Sequence, residues 1–260
     1  MTTKMKTRIL LTTLSLFVAG ATAQATLVNG PWTQSAGSAT LSSVNTASPI
    51  WGNGAANNAN ASSIWSSFQL YTLAVPGDKI VLSGTAQLIG TAGGGENLRF
   101  GLFNMNNSAN TSGWLGYFLR NGSGTGQASV MERANPNTGT FTSTTGAANV
   151  GTATLSGSPL FGDGVYNFSF SIERNALDGL NIVISLLRAS DSIDFAPVAL
   201  VDPSPQTFSF DRVAYQATSG LQADQILLSN VDVTFSSVPE PTAALLGGFG
   251  ALALLVRRRR

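Results

Sequence analysis

A strict period-two alternation of apolar and polar residues constrains the fold of this chain more than any other feature. From Tyr166 to Ile172 every second residue is aromatic or aliphatic, and the residues between them are Asn or Ser. This alternation is typical of a strand with one buried face and one solvated face. The segment N-A-L-D-G at 175–179 follows, and then residues 180–188 repeat the alternation with Leu and Ile. The pattern predicts a β-hairpin closed by a short glycine-containing loop.

The rest of the central region shows the same organisation of short apolar-polar runs between glycine-rich turns. No stretch shows a long 3.6-residue period, so helices are not expected here. Residues 191–206 are rich in acids and prolines and predict a loop, and residues 30–63 predict a loose strand followed by a loop. The further predicted strands are 67–75, 79–89, 98–105, 114–120, 127–133, 150–155, 208–215 and 225–235. Many short strands at this spacing predict an all-β fold, an antiparallel β-sandwich or jelly roll, over residues 24–236.

The amino terminus has the order of a secretory signal peptide. Lys4, Lys6 and Arg8 form a basic segment, and residues 9–18 are mainly apolar. Ala21 and Ala23 form a small-x-small cleavage site, with a second such site two residues later. This arrangement predicts a signal helix within residues 1–23, removed by the secretion machinery. A permanent membrane helix is the alternative, but it requires about 20 apolar residues.

The carboxyl terminus, residues 237–260, combines three distinct elements in order. The segment Val238, Pro239, Glu240 and Pro241 is followed by 14 apolar or glycine residues at 243–256. A helix of that length spans about 21 Å, short of the roughly 30 Å hydrocarbon core of a bilayer. The chain then ends in four arginines, Arg257, Arg258, Arg259 and Arg260, which favour a cytoplasmic end. The pattern predicts a short transmembrane helix that is inserted transiently, and an ordinary short anchor is the alternative.

This tail resembles the PEP-CTERM sorting signal of Gram-negative bacteria, a segment also described as an ice-binding-protein C-terminal domain. The resemblance rests on V-P-E-P at 238–241, the Leu/Gly-rich stretch at 245–256 and the basic end at 257–260. It implies an exosortase-type membrane protease as partner, cleavage near the triplet, and delivery to the cell surface or an exopolysaccharide matrix. Nothing in the residues points independently to ice binding.

The composition between the two terminal segments excludes several function classes. The formal net charge is +1, but this region carries 7 basic and 12 acidic residues, which argues against nucleic acid as a partner. The chain has no cysteine and no histidine, so it lacks disulfides, imidazole metal sites and Ser-His-Asp arrangements. No cofactor-binding or metal-binding pattern is present. Any enzymatic chemistry would depend on carboxylates.

The acidic residues show no catalytic spacing. Glu96, Glu132 and Glu173 are far apart, and no Glu-x-Asp-x-x-Glu pattern of a concanavalin-like glucanase occurs. Asp191 and Asp194 lie in a predicted loop, where they are either solvated acids or calcium ligands. Asp163 and Asp178 precede glycines and are interpreted first as turn residues. We therefore expect no catalytic residues.

Two aromatic residues are candidates for stacking on sugar rings. Trp114 and Tyr117 are three apart, so on a strand they point to opposite faces and one of them is expected to be exposed. Core packing is the alternative for each. The runs L-R-F-G-L-F-N at 98–104 and W-L-G-Y at 114–117 resemble concanavalin-like sandwich domains.

These observations lead to two functional hypotheses and a third, weaker one. The first is an exported, non-enzymatic protein of the surface or matrix of a Gram-negative bacterium, sorted by its tail. The second is a carbohydrate-binding module that recognises matrix glycans. The third is a glycosidase that uses carboxylates alone, which requires two acids to converge on one accessible face.

Overall fold

The computed structural model describes residues 22–91, 98–122, 127–133, 141, 146–155 and 160–238. Residues Thr22–Val238 form one compact unit. The strands, in chain order, are β1 (Thr22–Leu27), β2 (Thr33–Ala36), β3 (Leu41–Ser42), β4 (Ile50–Gly52), β5 (Ser62–Thr72), β6 (Lys79–Ile89), β7 (Leu98–Asn104), β8 (Leu115–Gly122), β9 (Gln127–Arg133), β10 (Ala147–Thr154), β11 (Gly164–Arg174), β12 (Leu180–Arg188), β13 (Val198–Asp202), β14 (Ser209–Ala217) and β15 (Gln225–Ser237). A 3-10 turn, Thr111–Gly113, precedes β8.

The strands form two antiparallel sheets, which confirms the predicted all-β sandwich. Sheet A has eight strands in the order β13-β12-β11-β6-β15-β4-β3. Its eighth strand, β1, pairs with the carboxyl-terminal half of β15, and β4 pairs with the amino-terminal half. Sheet B has seven strands in the order β10-β9-β8-β7-β14-β5-β2.

The core lies between the two sheets and is built by the period-two alternation. The apolar positions of β11 and β12, from Tyr166 to Ile172 and from Leu180 to Leu186, are buried. Sheet B contributes residues such as Phe100, whose ring lies 5.3 Å from that of Phe168 in sheet A. Each fully buried side chain of this kind contributes about 1.5–3 kcal/mol to stability. The alternation therefore sets which face of each strand points into the sandwich.

The predicted hairpin is confirmed as β11 and β12. Its loop is organised by Asn175, whose Oδ1 accepts hydrogen bonds from the backbone N–H groups of Leu177 and Gly179, both at 2.9 Å. Asp178 has φ = 58°, a left-handed conformation that Asp tolerates better than most residues. The local sequence thus specifies both the strands and the turn that joins them.

Two predicted irregular regions contain strands. Residues 191–206 were expected to be a loop, but β13 lies within them and pairs with β12. Residues 30–63 contain β2, β3, β4 and the start of β5 rather than one loose strand. β2, β3, β4 and β13 have two to five residues each and lie at or beside sheet edges, so their stability comes from pairing with neighbouring strands. The predicted signal helix and the predicted carboxyl-terminal helix fall outside the described residues.

Candidate functional site

The outer face of sheet B, which is directed away from the main core, carries buried apolar side chains as well as polar ones. In β7, Leu98, Phe100 and Leu102 join the main core, whereas Phe103 joins a second apolar cluster. Because side chains alternate along a strand, Arg99 and Gly101 lie on the same face as Phe103. The outer face of sheet B therefore carries both apolar and charged groups.

The second apolar cluster covers one end of this outer face, and we call it the aromatic cluster. Its buried members are Phe103, Trp114, Phe118, Met131, Phe141 and Ala214. Trp114 lies 5.6 Å from Phe141 with nearly parallel rings, and its ring meets that of Trp65 edge-on at 5.2 Å. The 3-10 turn brings Trp114 into this position immediately before β8.

Arg133 supports the aromatic cluster from within the sheet. Its Nε donates to the carbonyl oxygen of Trp114 at 3.1 Å, and its Nη2 donates to that of Ser112 at 3.0 Å. Arg133 is fully buried, and this desolvation lowers the pKa of its guanidinium to about 10. Its hydrogen bonds to backbone carbonyls hold the segment before β8 against the sheet.

The expectation that Trp114 or Tyr117 is exposed is wrong. Trp114 is 1% exposed, because it packs into the aromatic cluster rather than standing on a strand. Tyr117 is fully buried, because it lies on the inner face of β8 among the main core residues. A ligand-binding role for either residue stays a prediction, and neither ring lies at the surface of the described structure.

A line of polar side chains crosses the other end of the outer face, and we call it the polar row. Its members, taken from β10 across to β2, are Thr152, Ser129, Arg120, Arg99, Gln216, Ser63 and Ser35. Seven strands about 4.8 Å apart give the row a length of about 29 Å. The row runs perpendicular to the strands.

Strand register aligns the polar row. Ser129 pairs with both Thr152 and Arg120, and Gln216 pairs with both Arg99 and Ser63. The pairing of β7 with β8 ends at Gly101 and Phe118, and Arg99 and Arg120 lie two residues beyond it on their own strands. Both arginines lie on the outer face, on the two strands at the middle of the row.

Hydrogen bonds link neighbours along the polar row. The hydroxyls of Ser129 and Thr152 are 2.9 Å apart, and those of Ser35 and Ser63 are 2.8 Å apart. Nη1 of Arg99 donates to Oε1 of Gln216 at 3.4 Å. In the described structure Thr152 and Arg120 are exposed, Gln216 and Ser35 are half-buried, and Arg99, Ser129 and Ser63 are buried. The members of the row that reach the surface are therefore Thr152, Arg120, Gln216 and Ser35.

The two acids that do converge lie inside the sandwich, not on an accessible face. Glu132 of β9 and Asp202 of β13 come from opposite sheets and are 6% and 5% exposed. The Tyr117 hydroxyl lies 2.8 Å from Oε1 of Glu132 and 2.6 Å from Oδ2 of Asp202. The backbone N–H of Gln206 also donates to Glu132, at 2.7 Å. This buried acid pair bridges the sheets, and its depth keeps it from acting on a polysaccharide.

Burial shifts the pKa of Glu132 and that of the Tyr117 phenol. Desolvation, reinforced by the neighbouring Asp202 carboxyl, raises the pKa of Glu132. Desolvation and the same two acids raise the pKa of Tyr117 well above its usual value. The phenol has one proton to donate, so both short contacts are satisfied together when Glu132 is protonated and donates to the phenol oxygen while the Tyr117 hydroxyl donates to Asp202.

The loop aspartates have internal hydrogen-bonding roles. Asp191 forms an ion pair with Arg188, with 2.6 Å between Oδ2 and Nη2. Asp194 accepts from the Ser185 hydroxyl at 2.7 Å and from two backbone N–H groups. Asp163 accepts from the N–H of Thr91, and Asp178 pairs with Arg174. No group of three or more acidic side chains suited to a metal ion occurs among the residues that the structure describes.

The predicted processing sites are described only in part. Ala23 lies in β1, opposite Ser236 of β15, whereas Ala21 lies outside the described residues. Val238 is described, and its N–H donates to Oδ1 of Asp78 at 2.9 Å. Residues 239–260, which include Pro239, Glu240, Pro241 and Arg257–Arg260, lie outside the described residues, as does Glu96. Within the described part of the chain, no helix has the length and apolarity needed to cross a membrane.

Comparison with known proteins identifies the fold but no family. The sandwich is similar to arcelin-5, a lectin-like defense protein from Phaseolus vulgaris, with a TM-score of 0.50 and 8% identity over 85% of this chain and 100% of that one. It is also similar to peanut lectin (TM-score 0.49, 8% identity, 85% and 100% coverage) and to the carbohydrate recognition domain of Emp46p (0.48, 9%, 80% and 89%). No family model and no curated protein sequence matches the chain. The fold is a lectin-like β-sandwich.

The polar row was not predicted from the sequence, although the alternation of residues indicates which face some of its members occupy. Arg99 and Arg120 each stand beside buried apolar residues in strands that were predicted, so alternation already assigns them to the outer face. Their proximity to each other and to Gln216 depends on strand order and register. Those relationships have no local sequence signal.

Proposed function

We propose that this protein is an exported carbohydrate-binding β-sandwich whose binding surface is the polar row. The observation that carries the proposal is the alignment of hydroxyl, amide and guanidinium groups along sheet B, of which those of Thr152, Arg120, Gln216 and Ser35 reach the surface. Polar groups of this kind orient a bound ligand through hydrogen bonds, and neutral sugars carry many hydroxyl groups that can form them. The lectin-like fold shared with arcelin-5 supports the proposal, and the buried acid pair gives no support to a hydrolytic role. The protein acts without catalysis.

The binding proposal is tested with two matched glutamines on opposite sheets. Gln216 lies in the polar row, and Gln87 is exposed on the outer face of sheet A. We expect purified protein to bind exopolysaccharide from its host in a sedimentation or calorimetric assay. Gln216→Ala should weaken binding about fivefold, the loss of roughly one hydrogen bond, whereas Gln87→Ala should not change it. Absence of binding, or equal effects of both variants, would contradict the proposal.

We further propose that a signal peptide exports the chain and that its tail is a PEP-CTERM signal processed by an exosortase-type protease at the cell surface. The compact unit extends to Val238, the first residue of the V-P-E-P segment, and Asp78 holds that residue by its backbone. This boundary supports a cleavage segment that begins where the folded unit ends. The mature protein then remains at the surface or in the polysaccharide matrix.

Mass spectrometry of the protein from its native host tests the sorting proposal. We expect an amino terminus at Gln24, which leaves four residues of β1 paired with β15. We expect a carboxyl terminus close to 238–241. A mature protein that retains Arg260 would overturn the sorting proposal without affecting the binding proposal.

A further inference from the structure

The first and last strands of the sandwich bring its two chain ends to the same end of sheet A. In the ladder of β1 with β15, Thr22 lies opposite Ser237. Neighbouring strands are about 4.8 Å apart, so the predicted signal peptide and the predicted tail continue from adjacent points. We call the surface around these points the tether end, and it consists of the turn 73–78, the hairpin loop 175–179 and Val238.

Hydrogen bonds join the three parts of the tether end. Oδ1 of Asp78 accepts from the N–H of Val238 at 2.9 Å, and the backbone oxygen of Asp78 accepts from the N–H of Arg174 at 3.0 Å. Nη1 of Arg174 donates to the carbonyl oxygen of Ala74 at 2.7 Å, and its Nη2 pairs with Asp178 at 2.9 Å. The hairpin loop is therefore held beside the point where the chain leaves the sandwich.

The hairpin loop presents an exposed leucine at the tether end. Leu177 is 89% exposed, more than any other large apolar side chain of the described residues. Its N–H donates to Oδ1 of Asn175 at 2.9 Å, so the loop holds it in a defined position. A single exposed apolar residue is common on soluble proteins and needs no ligand. Leu177 differs in its place, because it lies at the end of the sandwich from which the chain leaves.

The length of the connecting segment limits how far the tether end can be from a membrane. Residues 239–242 separate Val238 from the apolar stretch at 243–256. An extended chain advances at most about 3.6 Å per residue, so this connection covers at most roughly 18 Å. The headgroup region of a bilayer takes up about 5–8 Å of that distance. If the stretch enters a bilayer, as the proposed sorting requires, the tether end lies close to the lipid headgroups.

The charged side chains around the hairpin loop form two pairs of opposite sign. Arg174 pairs with Asp178 at 2.9 Å, and Nζ of Lys79 lies 4.0 Å from Oε2 of Glu173. The charges within each pair cancel, so they do not draw this loop toward anionic lipids. The contact of the loop with a membrane therefore depends on its apolar side chain, Leu177.

We propose that the tether end docks on a lipid bilayer while the tail is inserted, with the Leu177 side chain buried at the boundary between headgroups and acyl chains, an inference that rests on the proposed sorting function. Burial of this side chain stabilises the docked state. Leu160 precedes β11, which has 11 residues and is about 33 Å long, so that end faces away from the membrane. Docking keeps the V-P-E-P segment at the membrane surface, where a membrane protease reaches it.

The test uses a fluorescent dye on a single cysteine, because the chain has no cysteine of its own. Ala176→Cys places the dye beside Leu177 at an exposed position, and Leu160→Cys, at a position that is 56% exposed, places it at the opposite end. The full-length chain is reconstituted into phosphatidylcholine vesicles that carry a quencher on the upper part of the acyl chains. We expect strong quenching of the dye at 176 and almost none at 160.

A second substitution in the Ala176→Cys protein tests the role of the leucine itself. Leu177→Ser should lower the ratio of docked to undocked molecules about tenfold, the effect of losing one buried leucine. The matched control is Leu160→Ser, which removes an exposed leucine from the opposite end and should leave the quenching unchanged. Vesicles that contain anionic lipid should give the same results. Equal effects of Leu177→Ser and Leu160→Ser would overturn the role assigned to Leu177.

Other outcomes separate this inference from the function on which it rests. A chain that floats with the vesicles while the dye at 176 stays unquenched would overturn the docking and leave the sorting proposal intact. A chain that does not associate with vesicles at all would contradict both. Quenching that requires anionic lipid would overturn docking through Leu177. A change in dye emission that grows with protein concentration, without lipid quenching, would place a second copy of the chain at this end instead.

Discussion

The backbone N–H of Val238 donates a hydrogen bond to Oδ1 of Asp78 at 2.9 Å, so a residue 160 positions earlier fixes the end of the sandwich. The other carboxylate oxygen of Asp78 accepts from the N–H groups of Ala74 and Val75, at 2.8 and 3.1 Å. Asp78 is 1% exposed. One buried carboxylate therefore organises the turn before β6 and also the last residue of the compact unit.

Asp78→Asn should remove the hydrogen bond to the N–H of Val238 and keep those to Ala74 and Val75. An asparagine oxygen can still accept from the turn, but its amide nitrogen then faces the N–H of Val238, and two donors cannot bond. We expect a loss of about 1–2 kcal/mol in the free energy of unfolding, together with faster amide exchange at Val238. Urea unfolding and hydrogen exchange measure the two effects. The control is Asp178→Asn, because Asp178 belongs to an exposed ion pair, and it should change neither the free energy of unfolding nor the exchange at Val238. An unchanged exchange rate at Val238 in Asp78→Asn would refute the role assigned to Asp78.

Tyr117→Phe should destabilise the protein by removing the hydroxyl that bridges the sheets. Two buried carboxyl groups then lose a hydrogen-bond partner, at a cost of about 1–3 kcal/mol in the free energy of unfolding. The matched control is Tyr71→Phe. The Tyr71 hydroxyl has one partner, Thr26 Oγ1 at 3.0 Å, so its loss should cost less. Equal losses in the two variants, measured by urea unfolding, would argue against a special role for the acid pair.

Glu132 should make the protein more stable at mildly acidic pH than at neutral pH. Burial raises the pKa of Glu132, so the folded state favours the protonated carboxyl. The stabilisation that protonated Glu132 gives the folded state is fully present below the pKa of an unfolded glutamate, about 4.3. It is lost as the pH rises through the raised pKa of Glu132 in the folded state. Glu132→Gln mimics the protonated form, so it should remove this decline and be more stable than the unchanged protein at pH 7. Thermal unfolding of both proteins at a series of pH values measures how their stabilities diverge. If the melting temperatures of both proteins changed with pH in the same way, the role assigned to Glu132 would be wrong.

Trp114→Ala should act on stability rather than on binding. Trp114 is 1% exposed and packs against the rings of Phe141, Trp65 and Phe103. Removing a buried ring of this size costs about 3–5 kcal/mol in the free energy of unfolding. Leu177→Ala is the control, since Leu177 is 89% exposed, and it should have little effect. If Trp114→Ala unfolded at the same urea concentration as the unchanged protein, the aromatic cluster would not be a core.

Most strands could be predicted because their signal is local. The alternation at Phe168 and Phe170 separates a buried face from a wet face whatever the partner strand, and β6, β9 and β12 occur at their predicted positions. β13 could not be predicted in this way. It has five residues in a segment of acids and prolines, and it is a strand because β12 supplies its hydrogen bonds.

The candidate site was less predictable, because its members are separated along the chain. Trp114 and Tyr117 carry an aromatic signal, but only the packing shows that the structure buries both of them. Arg99, Arg120 and Gln216 carry no motif, and strand order places them in one line.

Local patterns in the amino-acid sequence were sufficient for the all-β class and for the main hairpin, and export by the two terminal segments stays a prediction. Those patterns suffice because alternation and turn chemistry act over a few residues. The tertiary structure alone decided that Glu132 and Asp202 both contact the Tyr117 hydroxyl inside the sandwich and that Arg99 contacts Gln216 on the outer face of sheet B. Contacts of this kind depend on the register between strands that are far apart in the chain. Arg99 and Gln216, for example, are 117 positions apart, and the packing of the whole sandwich sets their register.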